Sequence, residues 1–336
     1  RLELPAYQMS ITKTREVFSL PNVHYARNLL YLSAKTHQNI DMKQILTLVL
    51  AGFLGLGAWG QQSHYAKFQT LLTQKDTVAL RKFIPKWEQS AGQSGDTYAA
   101  WCNLLLMEAR KEILQLSADT TAHEGLILMD STGNKAGSIT DLVCYDAEKM
   151  QKLYQKFDEG LAKYPDRLDL WFGKVHVQLL DNHPNGAVET LQKTIDRSVV
   201  NHQKWLWTND KSTPSAPEDF FFSTLQDYFR QLYDAKEDTT NMAFVNHVLK
   251  NYPKNTYFLN DKAALLAVKG EKQEALKVLL QLHQLAPHDD IVIANIATLS
   301  KKTGNKKQAT EFYKKLLKSE NESLRNDARR ELGLKW

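Results

Sequence analysis

Ten histidines and two cysteines carry most of the metal-binding chemistry open to this chain, yet their spacing builds no centre. No His-Glu-x-x-His pair, glycine-framed serine nucleophile or phosphate-cradling glycine loop occurs. Cys102 and Cys144 each lack a second cysteine or histidine at ligand spacing, which excludes a zinc site of the usual kind. Both read as small buried apolar residues, although a disulfide between them is compatible with export. The oxygen donors Asp130, Thr132, Asn134 and Asp141 come nearer to a calcium loop. Such a loop needs glycine at its sixth position for the sharp turn, and Lys135 stands there. Asp169 with Asp181, and Glu271 with Glu274, are the ordinary charges of helix surfaces. The residues therefore point to no enzyme, no metal and no cofactor.

Recognition chemistry is better supported, in the segment 202–221. Trp205 and Trp207 are followed by Thr208, Asn209 and Asp210, then by Pro214 and Pro217, then by Phe220, Phe221 and Phe222. Prolines and small polar residues predict a loop, while so many aromatic rings require something to pack against. One reading has Trp205 and Trp207 plugging a gap between structural units that fail to stack directly. The other makes Trp205, Trp207 and Phe221 an aromatic floor for a peptide or sugar, since exposed aromatics carry binding hot spots.

The elements that position these residues are written in a 34-residue echo: Gly270 returns as Gly304, Ala275 as Ala309, Ala263 as Ala297, and Pro253 as Pro287. Each has a mechanical job. Ala263 and Ala275 let two antiparallel helices approach closely, Gly270 supplies the left-handed turn between them, and Pro287 stops the second helix. Leu259, Leu266, Leu279 and Leu282 fall at spacings that fill the layer between units. The next unit repeats the scheme with Ile293, Tyr313 and Leu316, but has Ser300 where a large residue is usual and Asn321 where proline is usual. With that period, the stretch 256–323 resembles the tetratricopeptide repeat (TPR) family, a helix-turn-helix array. The resemblance implies a binding scaffold rather than a catalyst.

Upstream the pattern weakens. Segment 222–255 keeps Leu225, Leu232, Val245, Val248 and Pro253 in register but puts Phe229 and Asn241 where small residues belong. Segment 168–201 has Trp171 at the usual tryptophan position and Ala187 followed by Leu191. A helix ending near Pro165 pairs with a first half predicted over 98–114, and a further pair is predicted over 64–73 and 76–88, with Pro85 ending or bending its second helix. Between 118 and 145 the helical period stops, and two apolar runs around Asp130, Gly133 and Asn134 predict a β-hairpin or ordered loop. The stretch 324–336 reads as a polar capping helix. Segments 204–210 and 130–133 also resemble exported TPR proteins of Bacteroidota-type bacteria, a likeness that implies no particular activity.

Met42 and Lys43 precede an apolar run of about 15 residues, too short for a bilayer span of about 20, and the small residues Ala58 and Gly60 stand three and one before a plausible cut. That is the layout of a signal peptide over 42–60, cut after Gly60. Residues 1–41 are then expected to be an over-extended gene start. The formal net charge of +5 falls to +2 without residues 1–60, which hold six Lys or Arg and three Asp or Glu. Such balance leaves no footprint for nucleic acid, and the lysines at 301, 302, 306, 307, 314 and 315 fit a solvated helix face.

The expected fold is therefore all-α: a TPR-like helical-hairpin solenoid with a small β-hairpin or loop insertion. Its divisions are degenerate repeats over 61–201, the aromatic loop 202–221, repeats over 222–323 and the cap 324–336. The expected function is an exported, periplasmic or secreted, non-catalytic scaffold that binds another protein or peptide segment and is not an integral membrane protein once its signal is removed. A peptide- or glycan-binding accessory protein using 202–222 is the alternative.

Overall fold

The computed structural model describes residues 63–118, 126–213 and 216–334. The segments expected to be a leader and signal peptide lie outside them. The described chain divides between Tyr164 and Pro165 into two compact units.

Unit 1 holds α1 (His64–Thr73), α2 (Thr77–Ala91), α3 (Gly95–Ala109), β1 (Arg110–Ser117), β2 (Leu126–Met129), β3 (Lys135–Tyr145) and α4 (Ala147–Lys163). Ser63, Asp76, Ser94 and Asp146 cap the four helices by accepting from a backbone N–H in each first turn, a contact that satisfies an otherwise orphaned donor. Phe68, Leu80, Ile84, Trp87 and Leu104 form the core. Two sequence expectations are corrected here. Pro85 does not end α2, which runs on to Ala91, because burial of Leu80, Phe83, Ile84 and Trp87 on one face outweighs the backbone hydrogen bond that proline cannot make. The helix expected to reach Leu114 stops at Ala109, since residues 110–117 pair with β3 instead.

The insertion is a three-stranded antiparallel sheet of order β1-β3-β2. It leaves the helices as an arm: Asp146 N–H donates to Ala109 C=O at 2.8 Å, closing the base where α3 leads out and α4 leads back. Gly137 is required, because a β-carbon there would stand 2.5 Å from the Ser117 carbonyl oxygen. At the β2–β3 tip the Asp130 carboxylate accepts from Thr132 N–H and Asn134 N–H at 2.9 Å each and from the Thr132 hydroxyl at 2.7 Å. These bonds lower its pKa, the Thr132 hydroxyl contributing most. Three of the donors that resembled a calcium loop thus fold a turn, while the fourth, Asp141, lies on β3 opposite Leu114.

Unit 2 is a stack of helical hairpins: α5 (Leu168–Leu180) with α6 (Pro184–Val200), α7 (Pro217–Asp234) with α8 (Asp238–Asn251), α9 (Thr256–Val268) with α10 (Lys272–Leu285), and α11 (Asp290–Lys302) with α12 (Lys306–Leu316), followed by α13 (Glu322–Glu331). The fold class is all-α and TPR-like with a small β insertion. Its repeat is clearest at the turns. Gly270 at φ +88° and Gly304 at φ +84° are left-handed, and so are Asn182 at +56° and Lys236 at +61° in the two degenerate units. Each closes the same pair of bonds; in the third hairpin Gly270 N–H donates to Ala267 C=O at 3.1 Å and Glu271 N–H to Leu266 C=O at 2.8 Å.

Ala187, Ala263, Ala275, Ala297 and Ala309 are buried at helix crossings, as their size requires. Pro253 and Pro287 follow the ends of α8 and α10. In the degenerate unit, Phe229 and Asn241 replace small residues as a matched pair, with the Asn241 amide donating to Phe229 C=O at 3.0 Å. Ser300 fills its unusual place by donating to Gln308 Oε1 at 2.8 Å. Asn321 caps α13, accepting from Ser323 and Leu324 N–H.

Candidate functional site

The aromatic segment packs inward. Trp205, Trp207 and Phe221 retain 3%, 4% and 0% of their exposure, so none offers a face on which a ligand ring could stack. Trp205 stacks on Phe221 at 5.7 Å between centroids, Trp207 meets Phe220 edge-on at 5.1 Å, and Phe222 meets Tyr252 edge-on at 4.9 Å. Phe220 and Phe221 do not belong to the loop at all. Pro217 opens α7 rather than marking a connection, a place where its fixed φ and missing N–H cost nothing. The rings bridge the gap between the first and second hairpins, which is the packing reading of this segment.

A polar latch holds that loop. Arg167 is fully buried and donates through Nε and Nη2 to both Asp169 oxygens at 2.9 and 2.8 Å, and through Nη1 to Asp210 at 3.1 Å. The two-pronged geometry matches the guanidinium fork to a carboxylate and compensates part of its desolvation. Backbone bonds add to it: Leu206 N–H donates to Asp166 C=O at 2.9 Å, and Leu168 N–H to Leu206 C=O at 3.0 Å. His202, Gln203, Asn209 and Asp210 all have positive φ, a strain that this anchoring supports.

A second feature, absent from the sequence reading, lies on the first helices of successive hairpins. Asp227 on α7, Asp261 on α9 and Asn295 on α11 recur at the 34-residue interval, with Gln226 and Asn260 one place before the first two. The Gln226 amide donates to Asp261, Arg230 pairs with Asp227, and the Asn295 amide donates to Asn260 at 3.2 Å. Burial raises the Asp261 pKa to about 8, against the lowering influence of Gln226 and Arg230. Asp227 is raised as well, again by burial. Near neutral pH Asp261 is therefore mostly a neutral carboxylic acid beside the Gln226 carboxamide. Arg230 and Tyr257 stand exposed on these same two helices. The clue in the sequence was a polar residue returning at the 34-residue period on the first helix of three successive hairpins.

The remaining predicted positions do not converge on a site. No disulfide joins Cys102, buried in α3, to Cys144 on β3. The lysines of α11 and α12 lie on exposed positions, where Lys301 pairs with Glu331 and Lys315 with Glu311. Trp171 is half-buried and donates from its ring nitrogen to Pro165 C=O at 2.9 Å. Among the described residues there is no cluster of His, Cys, Asp or Glu able to hold a metal ion, and no helix long and apolar enough to cross a membrane.

No protein-family model matches the sequence, and no curated protein matches it. Solved structures share its helical stacking at low identity. YrrB, described as a TPR protein with an unusual peptide-binding site, is 12% identical, covering 74% of this chain and 97% of its own at a TM-score of 0.38. A tetratricopeptide repeat protein from Parabacteroides merdae is 12% identical over 80% of this chain and 86% of its own, with a TM-score of 0.33. TTC0263 from Thermus thermophilus, a thermophilic TPR protein, is 15% identical over 56% of this chain and 92% of its own, with a TM-score of 0.28.

Proposed function

We propose that the protein is an exported, non-catalytic scaffold that holds an extended segment of another protein against the first helices of unit 2. The observation that carries this reading is the polar row of Asp227, Asp261 and Asn295, recurring at the 34-residue interval on the first helices of three successive hairpins with Gln226 and Asn260 beside it. Asn260, Asp261 and Asn295 are themselves buried and tie the first helices together, so the face a ligand would meet is set by the side chains that remain exposed on those helices. Arg230 and Tyr257 are the exposed side chains on α7 and α9 that would meet the ligand first, and both residue types are enriched among binding hot spots. Export rests on the charged, apolar and small-residue succession of 42–60.

Selection from a displayed random-peptide library tests the scaffold reading. Enrichment of a shared motif is expected, with binding reduced at least about tenfold by Arg230→Ala or Tyr257→Ala while the melting temperature stays at the parent value. A motif whose binding ignores both substitutions but is lost with changes elsewhere would overturn it.

A further inference from the structure

The arm of unit 1 ends in an open edge. Among the described residues β3 is the central strand and β1 is an outer one, so on the outer side of 110–116 no described strand pairs with the backbone of β1. Proteins ordinarily blunt such edges with prolines, bulges or charge. Residues 113–116 of β1 carry none of these, and Leu114 and Leu116 keep 75% and 70% of their exposure. On the same face stand Val143, opposite Glu112, and Ile139, opposite both Leu116 and Leu126.

The edge is better suited to pairing than the face is to burial. Asp141 lies directly opposite Leu114, in the middle of the apolar residues, and a partner laid flat on that face would have to desolvate its charge. A strand added beside β1 leaves Asp141 in water and completes the ladder.

We infer that this strand is β1 of a second copy of the chain. Two identical antiparallel strands related by a two-fold axis keep their faces aligned only when the axis passes through a residue, which limits the possible registers. Centring on Lys111 or Glu112 sets like charges opposite one another, an unfavourable pairing. Centring on Ile113 makes the two Glu112 side chains diagonal neighbours. Centring on Leu114 sets Leu114 against its copy, Leu116 against Glu112, Ile113 against Gln115 and Lys111 against Ser117. It opposes no like charges and pairs seven residues, from Lys111 to Ser117. β1 is complementary to itself in that register, and the product is a continuous six-stranded sheet.

Sedimentation of the full chain at micromolar concentration is expected to find a dimer. The substitution Leu114→Lys sets lysines opposite each other at the two-fold axis, and should weaken the dimer at least about tenfold with unchanged helical circular dichroism. In a Cys144→Ser background, Leu114→Cys should form an interchain disulfide under mild oxidation, because directly opposed β-carbons are within its reach. Ile113→Cys should not. A monomer at these concentrations, a dimer that survives Leu114→Lys, or cross-linking through position 113 but not 114 would each overturn the inference.

Discussion

Asp261 shows most clearly how burial sets chemistry at a single residue. An unfolded aspartate titrates near 3.9, whereas burial in unit 2 raises this one to about 8. The fold therefore favours its protonated form. The stability it contributes is complete below the unfolded pKa, and declines as pH climbs through the interval up to the folded value. Asp261→Asn keeps the carboxamide-like shape without a charge to desolvate. We expect the melting temperature of the variant to exceed that of the parent by a margin that grows between about pH 5 and about pH 8. A margin that stayed constant or shrank across that range, measured by thermal melts in matched buffers, would show that Asp261 is not a buried titrating group. Arg167 stands at the other extreme, kept charged in the interior by two prongs onto Asp169.

At the scale of elements, the turn is the part that the sequence states most plainly and also conceals. Glycine at 270 and 304 announces the left-handed turn, but Lys236 adopts the same geometry in the degenerate hairpin and closes the same two bonds, to Tyr233 at 3.0 Å and from Glu237 to Leu232 at 2.9 Å. A β-carbon is strained there, while glycine loses more freedom on folding. The balance predicts that Lys236→Gly stabilises the protein by about 0.5–1 kcal/mol, read from denaturant melts, and a loss of stability would count against a shared turn. The same logic explains what was legible. Helical hairpins were readable because apolar spacing and small crossing residues are local facts. The end of α3 was not, since Arg110 to Leu114 suits a helix until its partner β3, some thirty residues later, makes it a strand. Nor was the fate of Trp205 and Trp207, because composition shows that rings must pack and only tertiary structure shows on what. The polar row was present in the sequence at the repeat interval, but overlooked because Asp227 and Asp261 look like ordinary surface charges until α7 and α9 are seen to bury them.

For the whole molecule, each unit encloses its own core: Phe68, Ile84 and Trp87 in the first, and two larger clusters around Phe221 and around Leu279 in the second. The export proposal predicts that intact protein recovered from its native envelope begins at Gln61. Mass spectrometry finding peptides from 1–41 in that fraction would refute both the cut and the idea of an over-extended gene start.

The contact at the base of the arm has a thermodynamic side. α3 and α4 pack as a hairpin although 36 residues, from Arg110 to Tyr145, intervene between Ala109 and Asp146. Were that stretch slack, closing it would cost about 2 kcal/mol more than closing a four-residue turn. The β1–β3 ladder zips its two ends together and removes most of that penalty in advance. Steadying the strands therefore tightens the helices, and loosening the helices frays the strands. A strand added to the outer side of β1 is therefore expected to raise the melting temperature of α3 and α4 along with that of the sheet.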